Sequence, residues 1–255
     1  MRRLYEAVRS FLLWFGIALL AVLIGTVAFF ASSLAVPFDR KRRSAHLWPW
    51  LWARSVVALN WRTELDTRRL PRGKHFVIVA NHQSLADIIV CLHVWHNFKF
   101  LAKQSVFRVP FLGWFMYPAG YIPLVRGKRS SVEEAMERCR FWLRRGVSVL
   151  LYPEGTRSPD GSVREFKPGA FRLAIETGVP ILPIALGHTA DMLPKNSFFF
   201  THKKDSMKLL VGDPIPVDGL TLDDVDALAE RTRQAIIAMK DRLESGGAGD
   251  ARAAA

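Results

Sequence analysis

Beyond its first sixty residues, the chain alternates between two hydrophobic patterns. Short, nearly unbroken apolar runs occupy residues 76–80 (FVIVA), 98–102, 120–126, 147–152, 179–186 and 207–212. Runs this short, rich in β-branched residues and ending at Gly, Pro or polar residues, predict strands covered on both faces. Between them lie stretches in which apolar residues recur every three or four positions. The clearest, SVEEAMERCRFWLRRG, pairs Ser131 with Glu134 as an expected capping box and lines up Val132, Ala135, Met136, Cys139, Trp142 and Leu143, with Gly146 to close it. Further helices are predicted over 84–96, with Ser84 as N-cap and Asp87 in the first turn, over 168–178, and over 222–243. This alternation predicts an α/β fold, a mainly parallel sheet flanked by helices. The terminal SGGAGDARAAA is predicted to be disordered.

The first sixty residues follow another rule. Residues 11–38 contain no charge. As a helix these 28 residues would reach about 42 Å, more than the roughly 30 Å hydrocarbon core of a bilayer. The run is too long for a signal-peptide core and is followed at once by Arg40, Lys41, Arg42 and Arg43, which predicts an uncleaved membrane-embedded element. A second apolar stretch, 45–61, carries Trp48, Trp50, Trp52 and Trp61, a residue type that prefers the membrane interface. Basic residues flank the first run on both sides, so two arrangements stay open. One is a span; the other is a helical hairpin dipping into one leaflet, which the symmetric charge favours.

Charge narrows the partner. Lys and Arg number 36 against 23 Asp and Glu, a formal charge of +13, which suits an anionic partner, whether nucleic acid, a lipid surface or a phosphorylated substrate. Cys91 and Cys139 both stand in apolar surroundings, as in a reducing compartment without disulfides. No CxxC, HExxH or other His/Cys cluster occurs, so neither a metal nor a cofactor is expected.

Polar residues gather just after several of the predicted strands. In VIVANHQSLADIIV, His82 and Asp87 are five apart. On one continuous helix their side chains would diverge by about 140°. They meet only if His82 sits in the strand-to-helix turn. There Asp87 can take the Nδ1 proton and leave Nε2 free as a base. The bland alternative is an Asp that caps a helix and a His that fills a joint. YPEGTRS follows the strand at 147–152, at a carboxyl end where open α/β sheets bind ligands. Gly155 permits a turn with positive φ, while Glu154, Thr156 and Arg157 offer an acceptor, a hydroxyl and an oxyanion clamp. Arg126, Lys128 and Arg129 form a cationic turn before a helix, and Lys167 stands beside another helix start. Each suits a phosphate or simply a solvated face. A Walker A loop and a G-x-S-x-G nucleophile elbow are both absent from the sequence.

In this order the motifs resemble the glycerolipid acyltransferase family, specifically the 1-acylglycerol-3-phosphate (lysophosphatidic acid) acyltransferases, over about residues 76–216. NHQSLAD resembles the family's N-H-x4-D block, which implies His82 as base and Asp87 as its orienting partner. YIPLVRG resembles the second block, implying Arg126 as a contact to the acceptor phosphate, although Val125 stands where an acidic residue is common. YPEGTRS is similar to the third, implying that Glu154, Gly155, Thr156 and Arg157 hold the acceptor. VPILPI resembles the fourth, with Pro183 shaping the site. The resemblance implies transfer of an acyl chain from acyl-CoA or acyl carrier protein to the 2-hydroxyl of lysophosphatidate, giving phosphatidate. It divides the chain into a membrane element (1–62), an acyltransferase domain (63–244) and a tail (245–255). The expected partners are membrane lipid, the acceptor and the thioester donor, with no nucleic acid, at the cytoplasmic face of a bacterial inner membrane. Competing readings are another lysolipid or glycerol 3-phosphate as acceptor, a hydrolase using the same dyad, and a non-catalytic protein that binds anionic lipid.

Overall fold

The computed structural model describes residues 2–35, 37–193, 197, 199–200 and 206–245. Of the tail expected to be disordered, all but Ser245 lies outside the described residues. Seven strands form one sheet: β1 (Thr63–Asp66), β2 (Val77–Ala80), β3 (Phe98–Lys103), β4 (Ile122–Leu124), β5 (Ser148–Leu151), β6 (Ile181–Gly187) and β7 (Met207–Val211). Their order is β1-β7-β6-β2-β5-β3-β4, and every pair is parallel except β6–β7. The expected mainly parallel sheet is therefore present. β1, half exposed and apolar only at Leu65, showed no apolar run in the sequence.

The unbroken apolar runs have a simple cause. In β2, Ile78 and Ala80 pack into one core layer while Val77 and Val79 pack into the other. In β5, Leu150 faces the first layer and Val149 and Leu151 the second. The first layer is covered by α1 (Arg2–Ala35), α2 (Arg43–Asn60), α3 (Ala86–His93) and α5 (Leu112–Met116), with the four-residue helix α4 (Gln104–Phe107) leading into α5. The second is covered by α6 (Arg129–Arg144), α7 (Gly169–Thr177) and α9 (Val225–Glu244), while α8 (Thr189–Met192) follows β6.

Several expected local features take a different form. α3 begins at Ala86 and ends at His93, inside the expected 84–96, and Ser84 is not its N-cap. The Ser84 hydroxyl instead donates to Leu193 O at 2.8 Å and accepts from Ala86 N–H. The Ser131–Glu134 capping box does not form. α6 starts at Arg129, Ser131 Oγ accepts from Val125 N–H at the end of β4, and Glu134 pairs with Arg138. Val132, expected on the buried face, is exposed. The helix expected from 222 opens with a 3-10 turn (Leu222–Asp224), where Thr221 and Asp224 make the capping box that Ser131 does not. Pro183 lies within β6, as the expected strand 179–186 has it. Lacking an N–H, it falls just before the β6–β7 ladder, which starts at Ile184.

α1 and α2 form an antiparallel hairpin on the sheet. Asp39 closes the turn, accepting from Ser44 N–H at 2.7 Å and from the Ser44 hydroxyl, while Arg42 reaches Pro118 O at 2.7 Å. The basic run at 40–43 is thus a folded hairpin turn. Trp52 and Trp61 are buried against Phe115 and Phe200, contrary to an interfacial role. One face of α1 packs inward through Leu13, Ile17, Ala21, Ile24 and Ala28. The opposite face exposes Leu4, Val8, Phe15, Leu19, Leu23, Val27, Phe30 and Leu34, a stripe at helical spacing that none of the described residues covers. The helix carries a 32-residue candidate membrane segment, Leu4–Ala35, whose most apolar 18-residue window has a mean hydropathy of 2.5.

Gly25 sets how closely α1 approaches α5, because a Cβ there would lie 2.6 Å from Phe111 O. Gly25→Val is expected to destabilise the fold by about 1–3 kcal/mol through overpacking and to expose the 37–42 turn to protease. Thermal unfolding and limited proteolysis check this. An unchanged midpoint with unchanged protection would show that α1 is not seated here.

Candidate active site

β2, β5 and β6 are adjacent and parallel, with Val79 level with Leu151 and Pro183. Their carboxyl ends therefore open on one edge of the sheet. His82 stands two residues beyond β2, Glu154 three beyond β5, and Thr189 two beyond β6.

The turn after β2 is fastened before it reaches α3. Asn81 bonds Leu186 of β6 twice, donating to its carbonyl at 3.0 Å and accepting from its N–H at 2.8 Å. Gln83 Nε2 donates to the same carbonyl at 2.8 Å. His82 is thus held outside the helix, and the five-residue spacing lets it meet Asp87. His82 Nδ1 lies 2.7 Å from Asp87 Oδ2. The same oxygen accepts from the backbone N–H groups of Gln83 (2.7 Å) and Ser84 (2.9 Å), while Oδ1 accepts from the Thr189 hydroxyl. Asp87 has no exposed side-chain surface; His82 keeps 13 % of its own. Donation from Nδ1 to Asp87 leaves the lone pair on Nε2, the arrangement of an oriented general base.

The YPEGTRS loop holds the peptide of His82 from both sides. Its N–H donates to Glu154 Oε1 at 2.8 Å, and its carbonyl accepts from Ser158 N–H at 2.7 Å. The imidazole stacks on Tyr152, with centroids 4.2 Å apart at an interplanar angle of 21°. Tyr152 in turn points its hydroxyl at Cys91 Sγ, 3.7 Å away. Gly155 adopts φ +71°, and its N–H closes a turn on Tyr152 O. A Cβ on Gly155 would meet Lys167 Nζ at 2.9 Å, so this ammonium lies across the glycine. Thr156 and Arg157 are half-buried in the same loop.

Glu154 has a perturbed carboxyl. Burial pushes it up to about 7, against the opposing effect of hydrogen bonds from the His82 and Arg164 backbone N–H groups. Burial likewise holds the Cys91 thiol up at about 12 and keeps the Tyr152 phenol protonated.

Of the expected site residues, His82, Asp87, Glu154, Gly155 and Lys167 come together, with Thr156 and Arg157 on the same loop. Arg126 and Lys128 do not join them. They are exposed beyond β4, on the same sheet edge but three strand positions from β2, about 14 Å away at normal strand spacing. Asn81, Gln83, Tyr152 and Thr189 were not singled out from the sequence. Thr189 follows a buried strand as directly as Glu154 does, and the same strand-end rule points to it. Among the described residues, no group of three or more His, Cys, Asp or Glu is placed to hold a metal ion.

Glu154→Gln keeps an oxygen for the His82 N–H but cannot ionise. In the wild type, with the folded carboxyl at about 7 and the unfolded one near 4.5, both states are protonated at low pH. As pH rises from 4.5 to 7, only the unfolded chain releases this proton, so stability falls by about 3 kcal/mol from this group. The variant is expected to lack that decline. Urea midpoints at pH 4.5 and 7.5 check it, and parallel pH dependences in the two proteins would remove Glu154 as the cause.

Residues 62–187 match the Acyltransferase family model. A chloroplastic 1-acyl-sn-glycerol-3-phosphate acyltransferase of Brassica napus is 36% identical over 181 residues, 70% of this chain and 52% of that one. The 1-acyl-sn-glycerol-3-phosphate acyltransferase alpha of Homo sapiens is 33% identical over 181 residues, 70% of this chain and 63% of that one. The chain spans about half the length of the plant and algal relatives it matches. The crystal structure of the 1-acyl-sn-glycerophosphate (LPA) acyltransferase PlsC from Thermotoga maritima matches with a TM-score of 0.76 at 27% identity, covering 93% of this chain and 98% of that one.

Proposed function

Because this chain belongs to the acyltransferase family, we propose that it moves a fatty acyl group from acyl-CoA or acyl carrier protein to the 2-hydroxyl of 1-acylglycerol 3-phosphate, producing phosphatidate. The observation that carries the reading is the contact between His82 Nδ1 and the fully buried Asp87 at a sheet edge, which leaves Nε2 as the proton acceptor. His82 removes the hydroxyl proton as the alcohol oxygen attacks the thioester carbonyl. The tetrahedral intermediate collapses with loss of the thiolate, and the proton on His82 neutralises the departing sulfur. A thiol with a pKa near 8.5 leaves without a strong acid, so no acyl-enzyme is required. Asp87 fixes the ring and favours the imidazolium that forms transiently.

The cations divide by position. Arg157 and Lys167, on the loop around Gly155, suit the charge nearest the reacting centre. Arg126 and Lys128, farther along the edge, suit the acceptor phosphate. Glu154, by contrast, serves as a positioning residue for His82 rather than as a substrate contact. The acceptor reaches the site from a lipid surface. The outer stripe of α1 lies in the leaflet, while its inner face stays packed on α2 and α5. This one-sided packing favours a hairpin lodged in one leaflet over a helix crossing it, since a crossing would drag α2 and its buried partners into lipid.

His82→Ala is expected to lower acyl transfer by about 10²–10⁴-fold, the usual contribution of a general base, with unchanged circular dichroism and vesicle binding. The assay uses purified protein in detergent, lysophosphatidate and a series of acyl-CoA and acyl carrier protein donors. Retained turnover would remove His82 as the base. Preference for another lysolipid in an acceptor panel would move the reading to that acceptor.

A further inference from the structure

The opposite edge of the sheet, where β2, β3 and β5 begin, holds a cavity of about 310 Å³ that the acyl-transfer chemistry does not use. It lies beyond the amino end of β2, a strand of four residues, so about 13 Å of strand separates it from the His82 turn. Four segments build its wall. Lys41, Arg43 and His46 come from the hairpin turn and the start of α2, and Lys74 and His75 from the loop before β2. Trp95, His96 and Asn97 come from the connection into β3, and Gly146 and Ser148 from the turn into β5. None of these lining residues is acidic.

Among the described residues, Lys41, Arg43 and Lys74 make no salt bridge, although exposed arginines elsewhere pair with neighbouring carboxylates. Gly146, at φ +70°, gathers the wall: Lys41 Nζ and His75 Nδ1 both lie within 4 Å of the point its Cβ would occupy. Lys99 stands behind the wall with no exposed surface, donating to Asn97 Oδ1 at 2.9 Å. One carboxylate, Asp39 of the hairpin turn, lies outside the cavity lining and supports the charge on Lys99, while the histidines of the wall feel the cations. The His75 imidazole is held below its ordinary range by burial and by Lys41, and that of His96 falls to about 4 through burial, Arg43 and His75. Burial brings the Lys99 ammonium down to about 7. Cations crowded at a cavity without carboxylates, beside histidines kept neutral as hydrogen-bonding groups, make a receptor for an oxyanion. The volume is at the small end of ligand sites, enough for a phosphate with a small substituent. Trp95, 63% exposed at the rim and edge-on to Trp50 at 4.9 Å, gives the opening an aromatic lip of the kind found at membrane interfaces.

We propose that this cavity is a second anion site that binds a phosphate monoester, as a lipid headgroup or as free phosphate, through Lys41, Arg43 and Lys74. Because the readout is binding, the result does not depend on whether the chain transfers acyl groups. The full-length protein in neutral detergent is titrated with inorganic phosphate by calorimetry at low salt. It is also floated with phosphatidylcholine vesicles with and without hexadecyl phosphate, a monoester lipid lacking glycerol. The wild type is compared with Lys41→Ala/Lys74→Ala, with Lys41→Gln/Lys74→Gln, and with Arg138→Ala/Arg172→Ala, which removes the same charge from α6 and α7. The proposal expects the two lysine variants, with unchanged melting curves, to weaken phosphate binding or monoester-dependent flotation at least tenfold, and the arginine control to behave as wild type. Loss in calorimetry alone identifies free phosphate as the ligand; loss in flotation alone identifies the headgroup. Equal binding by every variant, or no binding by the wild type in either arm, overturns the proposal.

Discussion

A carboxylate with no contact to water must find hydrogen-bond donors within the protein, and Asp87 finds four: two backbone N–H groups, a threonine hydroxyl and an imidazole. The site hangs on this arrangement. The backbone donors Gln83 and Ser84 fix the turn that leaves β2, and Thr189 ties that turn to the end of β6. Only the last donor, His82, keeps a group in reach of solvent. Because the other three donors hold Asp87 in place, the imidazole is oriented by a group that cannot follow it if it moves. This is the preorganisation a general base needs.

A second constraint acts on the backbone. Glu154 and Ser158 hold the N–H and the carbonyl of His82, so the loop after β5 and the turn after β2 are one structure, although 72 residues separate His82 from Glu154. The parallel order β6-β2-β5 makes this possible by opening all three carboxyl ends on one edge. The α1–α2 hairpin packs on α3 and α5 over one face of the same sheet. Its inner face completes the first core layer, and its outer face leaves a continuous apolar stripe exposed.

Much of this was legible in the sequence because burial on both faces leaves a strong mark. β2, β5 and β6 read as apolar runs, and the polar strings directly after β2 and β5 marked the working edge. The geometric argument that His82 and Asp87 can meet only across a strand-to-helix turn agrees with the structure. What was not legible depends on long-range contacts. Thr189 meets Asp87 from 102 positions away; its place at a strand end is local, but its partner is not. Ser131 looked like an N-cap because Glu134 follows at the right spacing, but β4 needed its hydroxyl at Val125. β1 is half-exposed and carries one apolar residue, Leu65, paired with Leu209 of β7, too little to show as an apolar run. Trp52 and Trp61 have the composition of an interfacial belt, yet the hairpin folds them inward.

The central claim is that His82 acts on the acceptor hydroxyl as a base and forms no bond to the acyl group. Rapid-quench release of thiol from acyl-CoA or acyl carrier protein, with enzyme at substrate-level concentration, tests it most directly. The account expects no thiol above background without lysophosphatidate, and stoichiometric release together with phosphatidate when it is added. A burst of one thiol per enzyme in the absence of acceptor, lost in His82→Ala, would instead make His82 a nucleophile and contradict the account.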